Sequence, residues 1–130
     1  MKASSKRSNN LQGIVTCPGD KSISQRSVII GSLLEEDVQI RGFLFAEDPL
    51  STISALRNLG HEIEIDDGMV LVKNSRKNIL DRKAFCNLGN SGTGFRLISG
   101  LIAGQEINAE LAGDDSLSKR PMNRIIKPLN

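Results

Sequence analysis

Pro18-Gly19-Asp20-Lys21-Ser22-Ile23-Ser24-Gln25-Arg26 stands where an extended segment gives way to a helical period. Upstream, Leu11 to Thr16 (LQGIVT) is rich in β-branched residues and ends at a Pro-Gly turn, which reads as a strand. Downstream, Ile23, Ile30 and Leu33-Leu34 form one apolar stripe, which reads as a helix over about 22–34. The same grammar returns at Leu88-Gly89-Asn90-Ser91-Gly92-Thr93-Gly94-Phe95-Arg96. Gly19 and Gly89 each close an extended segment, and Arg26 and Arg96 each follow that glycine by seven residues. Gly42 and Gly113 close the next strands, and Pro49 and Pro121 open the next helices. The offsets run 70, 70, 71 and 72, as single insertions in loops produce. Such self-similarity is the mark of a repeated supersecondary unit, here strand, helix, strand, helix.

The remaining segments fit that frame. Val38 to Gly42 alternates as a strand does. Asp48-Pro49 is a helix start, with Asp as cap and Pro at the first helical position, and Ile53, Leu56 and Leu59 continue it to Gly60. His61 to Ile65, the turn Asp66-Asp67-Gly68 and Met69 to Val72 make a hairpin. Residues 73–83 read as a solvated connection. Ala84 to Leu88 is a strand, and a helix follows from about Ser91 to Ala103, its apolar residues including Phe95, Ile98, Leu101 and Ile102. Ile107 to Ala112 is a strand, and Pro121 opens a helix through Ile125 and Ile126. The fold class is therefore mixed α/β. Residues 1–10 are expected to be a disordered basic tail, 11–18 a first strand and crossover, and 19–130 about two repeat units, incomplete at the C-terminal side.

Composition narrows the chemistry. The chain has 130 residues, 38% hydrophobic and 25% charged, enough for a packed core. A net charge of +2 with 4 Phe, no Trp and no Tyr argues against a nucleic-acid surface. One His and 2 Cys leave little for zinc sites, Cys/His nucleophile pairs or Ser-His-Asp triads. Cys17 and Cys86 are expected to be reduced, buried thiols in a cytoplasmic protein. The first ten residues contain no apolar core of a secretory signal, and no stretch approaches the ~20 apolar residues of a membrane span.

Three clusters can bind or react. In the first, free N–H groups and the dipole of a helix start attract anions. Lys21 adds a charge, Ser22 a hydroxyl, and Arg26, one turn from Ser22, a planar fork suited to phosphate or carboxylate. A nucleotide P-loop is excluded, because Asp20 separates Gly19 from Lys21 and no Gly stands at Pro18. In the second, Gly89, Gly92 and Gly94 let backbone approach a ligand, while Asn90 and Thr93 offer neutral hydrogen bonds. Its glycines do not run G-x-G-x-x-G, so it is no dinucleotide fingerprint. The third, Gly113-Asp114-Asp115-Ser116-Leu117-Ser118-Lys119-Arg120-Pro121-Met122, is by itself only a charged turn.

Together, PGDKSISQR, LGNSGTGFR and GDDSLSKRPM resemble, in this order, the signature segments of the enolpyruvyl transferases, on the shikimate 3-phosphate branch rather than the UDP-N-acetylglucosamine branch. The resemblance runs from about Leu11 to Asn130. It implies repeated βαβαββ units of an inside-out α/β barrel with helix N-termini facing a cleft. It implies transfer of the enolpyruvyl group of phosphoenolpyruvate to the 5-hydroxyl of shikimate 3-phosphate, with loss of phosphate, through a tetrahedral ketal and without metal or organic cofactor. Position by position, Lys21, Ser22 and Arg26 match shikimate-phosphate contacts. Lys21, Asn90, Gly92, Thr93 and Arg120 match the phosphoenolpyruvate side, and Arg96 matches an arginine whose role is left open. The resemblance implies no catalytic assignment here, because the family's proton-transfer carboxylates fall in a later region. It also implies a mostly monomeric, longer protein, so that a C-terminal complementary half is a candidate partner beside the two small anions. A non-catalytic anion-binding module, a structural fragment and a related UDP-N-acetylglucosamine enolpyruvyl transferase are the competing readings.

Overall fold

The computed structural model describes residues 2–74, 83–105 and 107–129. Two small sheets lie against a layer of helices. The first contains β1 (Val38–Ile40), β2 (Ile63–Asp66) and β3 (Met69–Val72) in the order β1-β3-β2, both pairings antiparallel. Val72 faces Val38 on one side and Ile63 on the other, and Val70 faces Ile40 and Ile65. The β2–β3 turn is the two-residue Asp67-Gly68, with φ of 41° and 73°. Positive φ at both positions is what a right-twisted hairpin requires, and Asp-Gly supplies it.

The second sheet pairs β4 (Ala84–Asn87) parallel with β5 (Ala109–Ala112), and α3 (Gly92–Gly104) makes the crossover. α1 (Lys21–Gly31) and α2 (Glu47–Asn58) pack on each other and on α3. Val28, Ile53, Leu56, Leu59, Leu88 and Ile98 close the core between these layers. A short α4 (Asp115–Ser118) and α5 (Asn123–Leu129) finish the described chain.

Five expectations are corrected. Leu11 to Thr16 forms no strand: Leu11, Ile14 and Val15 are exposed, and no described strand lies beside them to complete a ladder. The stripe chosen for α1 is the wrong face. Ile23 and Ile30 are 62% and 56% exposed, whereas Ser24, Gln25, Val28 and Ile29 are buried, because the inward face satisfies polar partners as well as apolar ones. Asp48 does not cap α2: that helix starts at Glu47 without a side-chain cap, and Pro49 sits inside the first turn, where its missing N–H costs nothing. Pro121 does not begin the last helix. The Asp114 carboxylate accepts the Leu117 N–H at 2.7 Å to cap α4 first, and α5 begins at Asn123. Of the two thiols, both free, Cys86 is buried and Cys17 is exposed. Most of the connection expected over 73–83 lies outside the described residues.

His61, the chain's only histidine, is 3% exposed, and neither ring nitrogen has a hydrogen-bond partner among the described residues. Burial pushes its pKa below the ordinary 6.5. The unfolded chain therefore binds this proton at a pH where the folded chain does not. Stability is complete above about 6.5 and declines as pH falls toward the lower folded value. Urea midpoints measured from pH 7.5 to 5 are expected to show that decline, and His61→Leu to remove most of it.

Candidate anion-binding site

The start of α1 is built from its own sequence. The Ile23 N–H donates to the Asp20 carboxylate at 2.7 Å, and the Ser24 hydroxyl donates to the Asp20 carbonyl at 2.7 Å. The Leu44 N–H donates to Ser24 Oγ at 2.9 Å, which ties this turn to the loop after β1. Gly19 is obligatory for that closeness, since a Cβ there would lie 2.0 Å from the Gly42 carbonyl oxygen. Lys21 is thereby held beside the first turn of α2, its Nζ 2.9 Å from the Asp48 carboxylate. Ser22 is half-buried and Arg26 exposed, and neither side chain has a hydrogen bond or ion pair among the described residues. Arg26 borders a shallow groove between α1 and α3, beside Ile30, Leu33 and Leu97.

The start of α3 is capped by Ser91, whose Oγ accepts the Gly94 N–H at 3.1 Å. The third cluster folds back on it. The Asp114 N–H donates to the Gly89 carbonyl at 2.9 Å, and Arg120 donates to Asn90 Oδ1. Arg96 Nη1 donates to the Gly92 carbonyl at 3.1 Å. Two guanidinium groups thus flank Gly92, and a Cβ on it would lie 2.7 Å from Arg120 Nη1 and 3.0 Å from Arg96 Nη1. The Gly92 N–H does not stand free; it donates to the Asn90 carbonyl at 2.9 Å. Thr93 is half-buried, and its hydroxyl has no hydrogen-bond partner among the described residues.

The structure therefore brings Asn90, Gly92, Arg96 and Arg120 into one group, and Lys21 into a pair with Asp48. α1 and α3 bring the two groups together through Gln25, whose Nε2 lies 2.7 Å from Ser91 Oγ. With α2 also starting here, three helix N-termini converge, and their partial positive charges add to Lys21, Arg96 and Arg120. Such a field favours negative charge at these helix ends. Sequence reading missed Asp48, Gln25, Thr52 and Ser91 as parts of this end. The available signal was a polar pair, Ser24-Gln25, at helical spacing from Val28 and Ile29. Among the described residues no group of three or more His, Cys, Asp and Glu could hold a metal, and no helix is long and apolar enough to cross a membrane.

Residues 5–130 match the family described as EPSP synthase (3-phosphoshikimate 1-carboxyvinyltransferase). The chain is 49% identical over 120 residues to 3-phosphoshikimate 1-carboxyvinyltransferase of Streptococcus pyogenes serotype M49, covering 92% of this chain. It spans about 28% of the length of that relative. Two solved structures of EPSP synthase from Acinetobacter baumannii superpose with TM-scores of 0.80 and 0.79 at 42% identity. They cover 90% and 89% of this chain, and 27% of each solved chain is matched.

Proposed function

The chain belongs to the EPSP synthase (3-phosphoshikimate 1-carboxyvinyltransferase) family, and from that premise we propose that it supplies the anion-binding part of a cytoplasmic enolpyruvyl transferase. The carrying observation is the convergence of Lys21 with the Asn90–Gly92–Arg120 group at neighbouring helix N-termini, within a match that includes all three clusters. In this reading Lys21, Ser22 and Arg26 take the phosphate of shikimate 3-phosphate. Asn90, Gly92, Thr93 and Arg120 take phosphoenolpyruvate, with Lys21 reaching both ligands. Arg96 braces the Gly92 carbonyl and adds to the field.

The reaction needs the shikimate 5-hydroxyl to give up its proton as its oxygen bonds to C2 of phosphoenolpyruvate, and a proton delivered to C3. The ketal so formed expels phosphate as a C3 proton leaves. Cations and helix ends lower the cost of gathering the anionic reactants and of the charge that develops on the departing phosphate. No metal or organic cofactor enters this scheme. The proton transfers, typically worth ~10²–10⁴-fold, are assigned to no residue of this chain. They fall to the rest of a polypeptide of the relatives' length. Calorimetric titration tests the reading: shikimate 3-phosphate is expected to bind at one site. Lys21→Ala, which removes a charged hydrogen bond, is expected to weaken it roughly 10- to 100-fold. A folded chain that binds neither substrate would overturn it in favour of a structural fragment.

A further inference from the structure

One buried amide joins the two loops. Gln25 is fully buried, and its Nε2 lies 3.2 Å from the Asp48 carbonyl oxygen, 3.0 Å from Thr52 Oγ1 and 2.7 Å from Ser91 Oγ. The first turn of α2 and the cap of α3 are thus both tied to α1 through a single nitrogen. Gly94 leaves the room for this junction. A Cβ there would lie 2.7 Å from Ser91 Oγ, 2.8 Å from Thr52 Oγ1 and 3.1 Å from Gln25 Nε2.

Stability does not account for the amide. Its Oε1 is buried and has no partner among the described residues, which is costly. None of its three acceptors depends on it. Ser91 Oγ also accepts the Gly94 N–H. Thr52 Oγ1 donates to the Asp48 carbonyl at 3.0 Å, and that carbonyl also accepts the Ser51 hydroxyl at 2.9 Å. An apolar side chain of equal length would remove an unpaired oxygen and orphan nothing. It would, however, cut the direct bond from α1 to Ser91, the residue between Asn90 and Gly92.

We propose that Gln25 is a positioning residue that sets the spacing between the α1 end bearing Lys21 and Ser22 and the α3 end bearing Asn90, Gly92 and Thr93. The ligand identities rest on the functional reading above; the positional role does not. Stability and binding should therefore separate. Gln25→Met is expected to keep or raise the melting temperature while weakening both shikimate 3-phosphate and phosphoenolpyruvate about tenfold, since misplacement by an ångström at a site can cost that or more. A residue that merely filled the core would do the opposite. Its loss would lower the melting temperature and leave affinity, measured well below that temperature, unchanged; Val70→Ala in β3 supplies that comparison.

The experiment is scanning calorimetry with titration of both ligands on the full chain carrying Gln25→Met, Val70→Ala or Ser91→Gly. Ser91→Gly cuts the same bond while keeping a residue tolerated at an N-cap, and it should reproduce the double loss of affinity. A Gln25→Met chain that fails to fold, or that binds both ligands as the unaltered chain does, overturns the proposal. If the unaltered chain binds neither ligand, the functional reading fails alone. The positional role is then read from amide hydrogen exchange: Gln25→Met should speed exchange at Ser91 to Gly94 at least fivefold relative to β3, and equal exchange overturns it.

Discussion

A Gly19→Ala chain is expected to lose about 3 kcal/mol of stability or more, at the upper end of what overpacking costs. The added Cβ would stand 2.0 Å from the Gly42 carbonyl oxygen and 3.1 Å from both the Gly42 carbonyl carbon and the Leu44 nitrogen. All three are backbone atoms, so no rotamer change relieves the clash. The loop after β1 must part from the start of α1, and with it goes the 2.9 Å bond from the Leu44 N–H to Ser24 Oγ. The damage therefore falls on the turn that places Lys21. Urea unfolding checks this as a lowered midpoint at unchanged slope. Gly100→Ala is the contrast: a Cβ on that exposed helical residue meets nothing within 4 Å, so it should be neutral or stabilising.

Gly92→Ala should act on binding and not on folding. Its Cβ would press on Arg120 Nη1 at 2.7 Å and Arg96 Nη1 at 3.0 Å. Both are the far ends of flexible side chains, which can swing aside at small cost. Arg120 then leaves Asn90, and the donor pair proposed for phosphoenolpyruvate is no longer in place. Losing one charged hydrogen bond corresponds to about 1.5–3 kcal/mol, so phosphoenolpyruvate should bind roughly 10- to 100-fold more weakly. Shikimate 3-phosphate, held at the α1 end, should change by less than about threefold. Equal losses for both ligands would contradict the division of the site. An unchanged phosphoenolpyruvate affinity would contradict the role given to Arg120.

Local signals in the sequence carried much of this. The Asp67-Gly68 turn between alternating strands specifies its own hairpin, because only positive φ joins them. The α3 apolar spacing places Ile98 and Leu101 in the core, and three short motifs pointed to the family. What failed depended on partners far along the chain. Strand propensity at Leu11 to Thr16 says nothing about whether a neighbouring strand exists. Apolar periodicity in α1 selected Ile23 and Ile30 because it cannot register a buried face built partly from hydroxyl and amide groups. An Asp beside a Pro is an equally good helix cap or ion-pair partner on paper, and only the proximity of Lys21 decides for Asp48. That the second and third clusters touch, through Arg120 and Asn90, follows from the fold around α4 and not from spacing. Cys17 misled for a simpler reason: thiols are usually buried, but this one lies in a segment exposed from Leu11 to Pro18.

Two anions are expected to gather on this chain at converging helix ends. The most direct measurement is calorimetric titration of shikimate 3-phosphate into the chain, alone and after saturation with phosphoenolpyruvate, beside the Lys21→Ala chain and with UDP-N-acetylglucosamine as a comparison ligand. The expected result is one saturable site for shikimate 3-phosphate that Lys21→Ala weakens at least tenfold, with no binding of UDP-N-acetylglucosamine. Binding that is absent from the folded chain, or that survives Lys21→Ala undiminished, would contradict it.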